Sequence, residues 1–385
     1  MNSPNRTHHL HYAAFLIVIL SPVAAFAQNH GVEGRVSDLE RKVLAFEQEL
    51  IVQNQSLTSL NQQVQALTSQ IGRLAEQLSA QLQGLSGQVN NLSARVSNIE
   101  PYNPTVDCAL GQSINSALAG SRNRPGFVTI TIKGTCTEQV QLNRSHTTLQ
   151  GDVSGGGIVA PTGATAVNIS AATGVRLSSL VIQGGAVVVR VNSGAQVQIE
   201  NSQISLGSFH GIQVNSGSLL ALSATSVFSN GGSGIYAIGG SVELNQSTIF
   251  ENAFQGLSLE SGSDAQVMDS SVVSANRSGG ISLNGGSALK IRGTVKDNSG
   301  IGVSVLGGSA VILENATISG NSFDGVALGD AAVLQGFGYP PTFSIVNNGG
   351  RGVSCTAAPS VPQMEIPASS IGANSGGATN CASLL

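Results

Sequence analysis

The sequence predicts an all-β solenoid of short stacked strands preceded by a long α-helical coiled coil, and three observations carry that reading. A glycine-led unit opens at Gly211, Gly234, Gly256, Gly280, Gly302 and Gly325, at spacings of 23, 22, 24, 22 and 23 residues. Each of the first five units closes on an asparagine, at Asn230, Asn252, Asn276, Asn298 and Asn321. Upstream, apolar residues between Val32 and Ile99 recur in steps that alternate four and three. A fixed period in the low twenties marks a solenoid, and a four-three seam marks helices that pack on one another.

Inside a unit, Gly-Ile-x-Val and Thr-Ile-x-x-Asn alternate apolar with polar residues over about four positions, which is strand periodicity. No unit leaves room for a helix. Three short strands and three turns close one triangular coil, and successive coils stack as parallel strands roughly 4.8 Å apart. Stacking sets each Asn over its equivalent, so the column predicts a ladder of side-chain amides bonding one another and the turn backbone. These features resemble the right-handed parallel β-helix of the pectin-lyase-like superfamily, across about residues 105–355. The resemblance implies about ten coils of 22–24 residues over 126–352.

The chain opens with Arg6 and three histidines, then the apolar run Ala13 to Leu20, then Ala25-Phe26-Ala27. That order predicts a secretory signal peptide over residues 1–27, and hence an exported protein with no membrane span once the signal is removed. Periplasm, cell surface and medium are all left open. Residues 28–100 predict a coiled-coil stalk. Its seam runs through Val32, Val36, Leu39, Val43, Phe46 and Leu50 to Leu78, with Gln53 at one d position. It resumes at Leu82 and runs to Ile99, so the four-residue step from Leu78 to Leu82 is a stutter. A single helix with such a stripe leaves its apolar face in water, so residues 32–99 predict a homo-oligomer, with a trimer preferred over a dimer. Pro101 and Pro104 end the helix.

Residues 101–125 predict a linker and a short amphipathic capping helix, with Ile114, Ala117 and Leu118 on one face. A cap is needed because an open solenoid end exposes apolar core and unpaired strand groups. The four cysteines fall at the two ends, and an even count in an exported chain predicts disulfides. Of the three connectivities, local pairing of Cys108 with Cys136 and of Cys355 with Cys381 is preferred, because a rigid solenoid separates the ends. After Asn348 the repeat is expected to fail at Pro359, Pro362 and Pro367, leaving 353–385 as an irregular, disulfide-stapled C-terminal cap.

The superfamily hosts pectate lyases, polygalacturonases, alginate epimerases, tailspike glycosidases and non-catalytic proteins, so chemistry must be argued from residues. A pectate-type lyase needs clustered carboxylates and an Arg or Lys base, and a glycoside hydrolase needs two carboxylates. The acids here are scattered about one per coil. The best grouping is Asp264 and Asp269 beside Lys290 and Arg292 one coil later. The Asn-Thr-Asp, Asp-Asp and Asp-Pro-His motifs of the superfamily's enzymes are absent, and His210 sits in the variable slot before a repeat glycine, as a turn residue. No cofactor is implied. Phe209, Phe254 and Phe323 each stand two residues before a repeat glycine, so they share one edge, where exposed rings would take a polysaccharide. Charged residues make up only 10% and form no basic patch, which excludes a nucleic-acid partner. The sequence therefore predicts an exported, non-catalytic structural or adhesive protein. The alternative is a polysaccharide lyase or glycoside hydrolase.

Overall fold

The computed structural model describes residues 32–97, 102–122, 124–337, 342–356 and 363–381. The expected signal peptide lies outside the described residues, as does Ile99 at the end of the seam. The chain divides into two compact units, Met1–Arg95 and Val96–Leu385.

The first unit is built on one α-helix, Val32–Ser97, of 66 residues. It has no proline, and it tolerates Gly34, Gly72, Gly84 and Gly87 although each costs roughly 1 kcal/mol relative to alanine. Among the described residues its apolar stripe is exposed: Phe46 is 73% exposed and Leu60, Leu74 and Leu85 are 57–63% exposed. Among the described residues no helix is long and apolar enough to cross a membrane.

The second unit is a parallel β-solenoid. Each regular coil carries three strands, and equivalent strands of successive coils pair in parallel, so the unit has three faces. The first face runs from Val175–Ser178 through Gln196–Glu200, Leu219–Ser223, Ser241–Asn245, Asp264–Val267 and Ala288–Ile291 to Val333–Gly336. The second runs from Leu180–Gln183 to Ser344–Val346. The third is a ten-stranded sheet from Val140–Leu142 to Val353–Cys355, in agreement with the coil number expected. Inward residues stack like on like. Ile212, Ile235, Leu257, Ile281, Val303, Val326 and Val353 follow one another in register on the third face. All of them are at most 1% exposed.

The asparagine column forms a continuous ladder. Asn230 Nδ2 donates to Asn252 Oδ1 at 2.9 Å, and the pattern repeats through Asn276, Asn298 and Asn321. It runs on through Asn348 to Asn374. The residue before each ladder asparagine from Asn230 to Asn348 adopts a left-handed conformation, as at Ser229, Glu251, Ala275 and Asp297, which strains a non-glycine residue by about 1 kcal/mol. The amide network offsets that strain. It also explains the glycine phase. A Cβ on Gly280 would meet Gly302 O at 2.5 Å, Val295 Cγ1 at 2.5 Å and Asn298 Nδ2 at 3.0 Å, so the backbone must pass bare beside the ladder.

Both ends are closed. At the N-terminal end Thr105–Asp107 pairs with Thr131–Lys133, and helix Ile114–Ser121 lays Ile114 and Leu118 over the core. Ser113 caps that helix, and Glu138 accepts from the Ile114 and Asn115 amides, satisfying its free N–H groups. Disulfides join Cys108 to Cys136 and Cys355 to Cys381, the local pairing expected. The C-terminal segment differs from expectation. Strand Gln363–Glu365 pairs with Val333–Gly336, Ile371 bridges Ile345, and Thr379 bridges Val353. The stack continues past Asn348 because Asn374 supplies the next ladder amide, while Pro367 falls between strand Gln363–Glu365 and the turn Ala368–Ser370 and interrupts no pairing.

Candidate functional site

The outward side chains of the first face stand in register rows. One row reads Arg176, Gln198, Ala221, Glu243, Gln266 and Lys290 on successive coils. A neighbouring row reads Gln196, Leu219, Ser241, Asp264 and Ala288. Because the strands are only four or five residues long, each presents two or three outward positions here. The amides and charges on those positions make a polar comb with the coil spacing, roughly 4.8 Å. Between Arg176 and Asp264 the comb lines a groove of about 830 Å³, with Phe127 at one end and Leu219 in its floor. Phe127 is 58% exposed and Leu219 43%, so the groove offers apolar contact beside its amides. On the third face one outward row reads Arg190, Gln213, Tyr236, Ser258, Ser282 and Ser304.

The four residues nominated as the best charged grouping divide between two places. Asp264 lies in the groove, where its Oδ1 accepts from Ser241 Oγ at 2.6 Å. Lys290, Arg292 and Asp269 gather instead around Glu314. Lys290 Nζ stands 2.5 Å from Glu314 Oε2, and Arg292 Nη2 stands 3.9 Å from Glu314 Oε1. Arg292 Nε, buried and without a hydrogen-bond partner, has Asp269 Oδ1 at 3.6 Å, a charge contact beyond hydrogen-bond reach. The Lys290 ammonium holds the Glu314 carboxyl below the usual carboxylate range. Glu314 was legible from its place 22 residues after Arg292, one coil on; it follows its strand as Arg292 does. At the groove's other end Arg176 pairs with Glu200. Among the described residues no group of three or more His, Cys, Asp or Glu converges as a metal ion would need.

The three phenylalanines do share one column, in the turn between the second and third faces. Backbone hydrogen bonds run Ala186, Phe209, Gly232, Phe254, Ser278 from coil to coil and again from Gly300 to Phe323, with Gly300 packed against Ser278 O between them. Phe254 thus stands two coils above Phe209 and three below Phe323, and all three rings are more than half exposed. Phe209 also packs on His210, whose ring stacks on Tyr236 at 4.6 Å. His210 is buried; its Nδ1 accepts from the Ser233 amide at 3.1 Å, and burial brings its pKa down to about 4. It is a packed turn residue. An aromatic pair not nominated from the sequence, Phe228 and Phe250, stacks at 5.0 Å on the second face. Its signal was present, since both stand two residues before a ladder asparagine.

A family model described as right handed beta helix region matches residues 119–272. A search of curated proteins finds no match. Among solved structures, the chain is similar to the enzymatically active domain of tailspike protein 2 of bacteriophage CBA120, at 12% identity and a TM-score of 0.46, over 65% of this chain and 43% of that one. An alginate lyase from Paenibacillus sp. str. FPU-7 is similar at 10% identity and a TM-score of 0.37, over 70% of this chain and 99% of that one. Pectate lyase Pel9A is similar at 12% identity and a TM-score of 0.40, over 75% and 83%. At these identities and scores the likeness concerns the fold, and carries no argument about chemistry.

Proposed function

We propose that this right-handed parallel β-helix protein is an exported, non-catalytic scaffold that contacts a polysaccharide through its first face and is held in several copies by the coiled coil. The observation that carries the reading is the groove of about 830 Å³ whose floor repeats with the coil. A linear glycan is itself periodic. Gln196, Gln198 and Gln266 can each donate to and accept from sugar hydroxyls, while Leu219 and Phe127 offer apolar surface to the C–H face of a ring. Phe209, Phe254 and Phe323 give a second row of exposed rings on another edge.

The non-catalytic part rests on how the candidate groups are spent. A lyase base must reach its substrate, yet Lys290 and Arg292 face Glu314 and Asp269 in ion pairs. One observation favours the hydrolase alternative: Glu243 and Asp264 both line the groove, on adjacent coils, as a hydrolytic pair would. Two disulfides with no free cysteine among the described residues fit an oxidising compartment. Several weak sites on one oligomer gain avidity by linkage, which gives the helix its purpose. The test is to incubate the purified chain with acidic and neutral polysaccharides, scoring retention alongside release of reducing or unsaturated ends. Retention without products, weakened by Gln198→Ala with Gln266→Ala in the groove, supports the scaffold. Products abolished by Glu243→Gln, or by Lys290→Ala, defeat it.

A further inference from the structure

Given the glycan-contacting groove argued above, we infer that Glu243 and Asp264 determine which glycans it takes: uncharged chains are admitted and polyanionic chains are turned away. The inference starts from charge. Along the groove and the coils beside it stand Arg176, Lys290 and Arg292, against Glu200, Glu243, Asp264, Asp269 and Glu314. Every one of these cations is engaged: Arg176 by Glu200, Lys290 by Glu314, and Arg292 by Asp269 and Glu314. Glu243 and Asp264 form no ion pair among the described residues. Both are exposed, and both line the groove. Asp264 has the Ser241 hydroxyl as its hydrogen-bond partner, which leaves its charge in place.

Register decides how these charges meet a ligand. Ser241 faces Asp264 and Glu243 faces Gln266 across one coil step, so the two carboxylates stand diagonally on neighbouring strands. A chain laid along the groove passes both. For a polyuronate, a carboxylate recurs at every sugar, so no placement along the groove keeps its charges away from Glu243 and Asp264. Like-charge juxtaposition without a cation between is repulsive and discriminates against the wrong partner. A neutral chain meets the same carboxylates as hydrogen-bond acceptors for its hydroxyls, with the glutamine amides supplying the donors. Among the described residues that line the groove the one cation is Arg176, and the Glu200 carboxylate paired with it offsets its charge.

The experiment uses the full chain and backbone-matched probes that differ in carboxylates alone. These are polygalacturonate beside its methyl ester, and carboxymethylcellulose beside hydroxyethylcellulose. At low ionic strength the protein is expected to retain a neutral member at least about tenfold more tightly than its acidic match. The gap is expected to narrow between 0.01 M and 1 M salt, as the screening length shortens from roughly 30 Å to roughly 3 Å. Glu243→Gln with Asp264→Asn is expected to raise retention of the acidic member above that shown by the unaltered protein, a gain that loss of folding cannot imitate. Equal retention of acidic and neutral probes by the unaltered protein overturns the inference and leaves the groove standing, as does a discrimination that the double variant does not move. Retention of no probe by either protein overturns the groove reading and the inference with it.

Discussion

Asn276 shows how much one residue carries in this fold. Its side chain is fully buried, and its Nδ2 donates to Asn298 Oδ1, Ser274 O and Ile249 O at 3.0–3.2 Å. Its Oδ1 accepts from both the backbone and side-chain nitrogens of Asn252. Truncation would orphan groups on three coils at once. Asn276→Ala is therefore expected to destabilise the solenoid by about 2–4 kcal/mol, read as a lower midpoint in chemical denaturation. A loss below about 0.5 kcal/mol would mean that the ladder is ornamental. His210 makes a prediction of opposite character. Burial sets its folded pKa at about 4, below its unfolded value of 6.5. The unfolded chain then binds more protons between those values, so this contribution to stability is complete above about pH 6.5 and is lost as pH falls toward 4. The pH dependence of unfolding in that window is expected to flatten in His210→Gln; an unchanged slope would show that other groups set it.

Elements differ in how plainly the sequence wrote them. The strands, the glycine phase and the ladder were legible because stacking is unforgiving: a coil that lacked the bare backbone at Gly280 or the amide at Asn298 would break contact with both neighbours. Outward positions carry no such demand, so the groove left no repeated letter to find. Reading charges by adjacent coils put Asp264 with Lys290, whereas the register puts Asp264 in the row of Ser241 and Lys290 in the row of Gln266. The last coil was hidden because Asn374 follows Asn348 by 26 residues, outside the regular spacing, with prolines between. The helix Val32–Ser97 yields its own prediction. Its stripe of leucines and valines is exposed among the described residues, so the helix is expected to find copies of itself. Light scattering of a chain from Gln28 to Leu385 is expected to give an oligomer, a trimer in mass, while one from Pro101 onward gives a monomer. A monomer from both would refute the coiled coil.

For the whole molecule, the described parts divide their labour. Two disulfides and a capping helix close the solenoid's ends, the ladder and core fix its coils, and one face is left free to vary. The central claim is that this face holds a glycan without cutting it. The most direct measurement compares the unaltered protein with Gln198→Ala/Gln266→Ala, two exposed changes that touch neither core nor ladder. Each is mixed with the polysaccharide that the protein retains, and bound glycan and newly released chain ends are measured in the same sample. Retention lost in the variant, with no chain ends released by either protein, is the predicted result. Retention unmoved by the two changes, or chain ends accumulating with the unaltered protein, would contradict it.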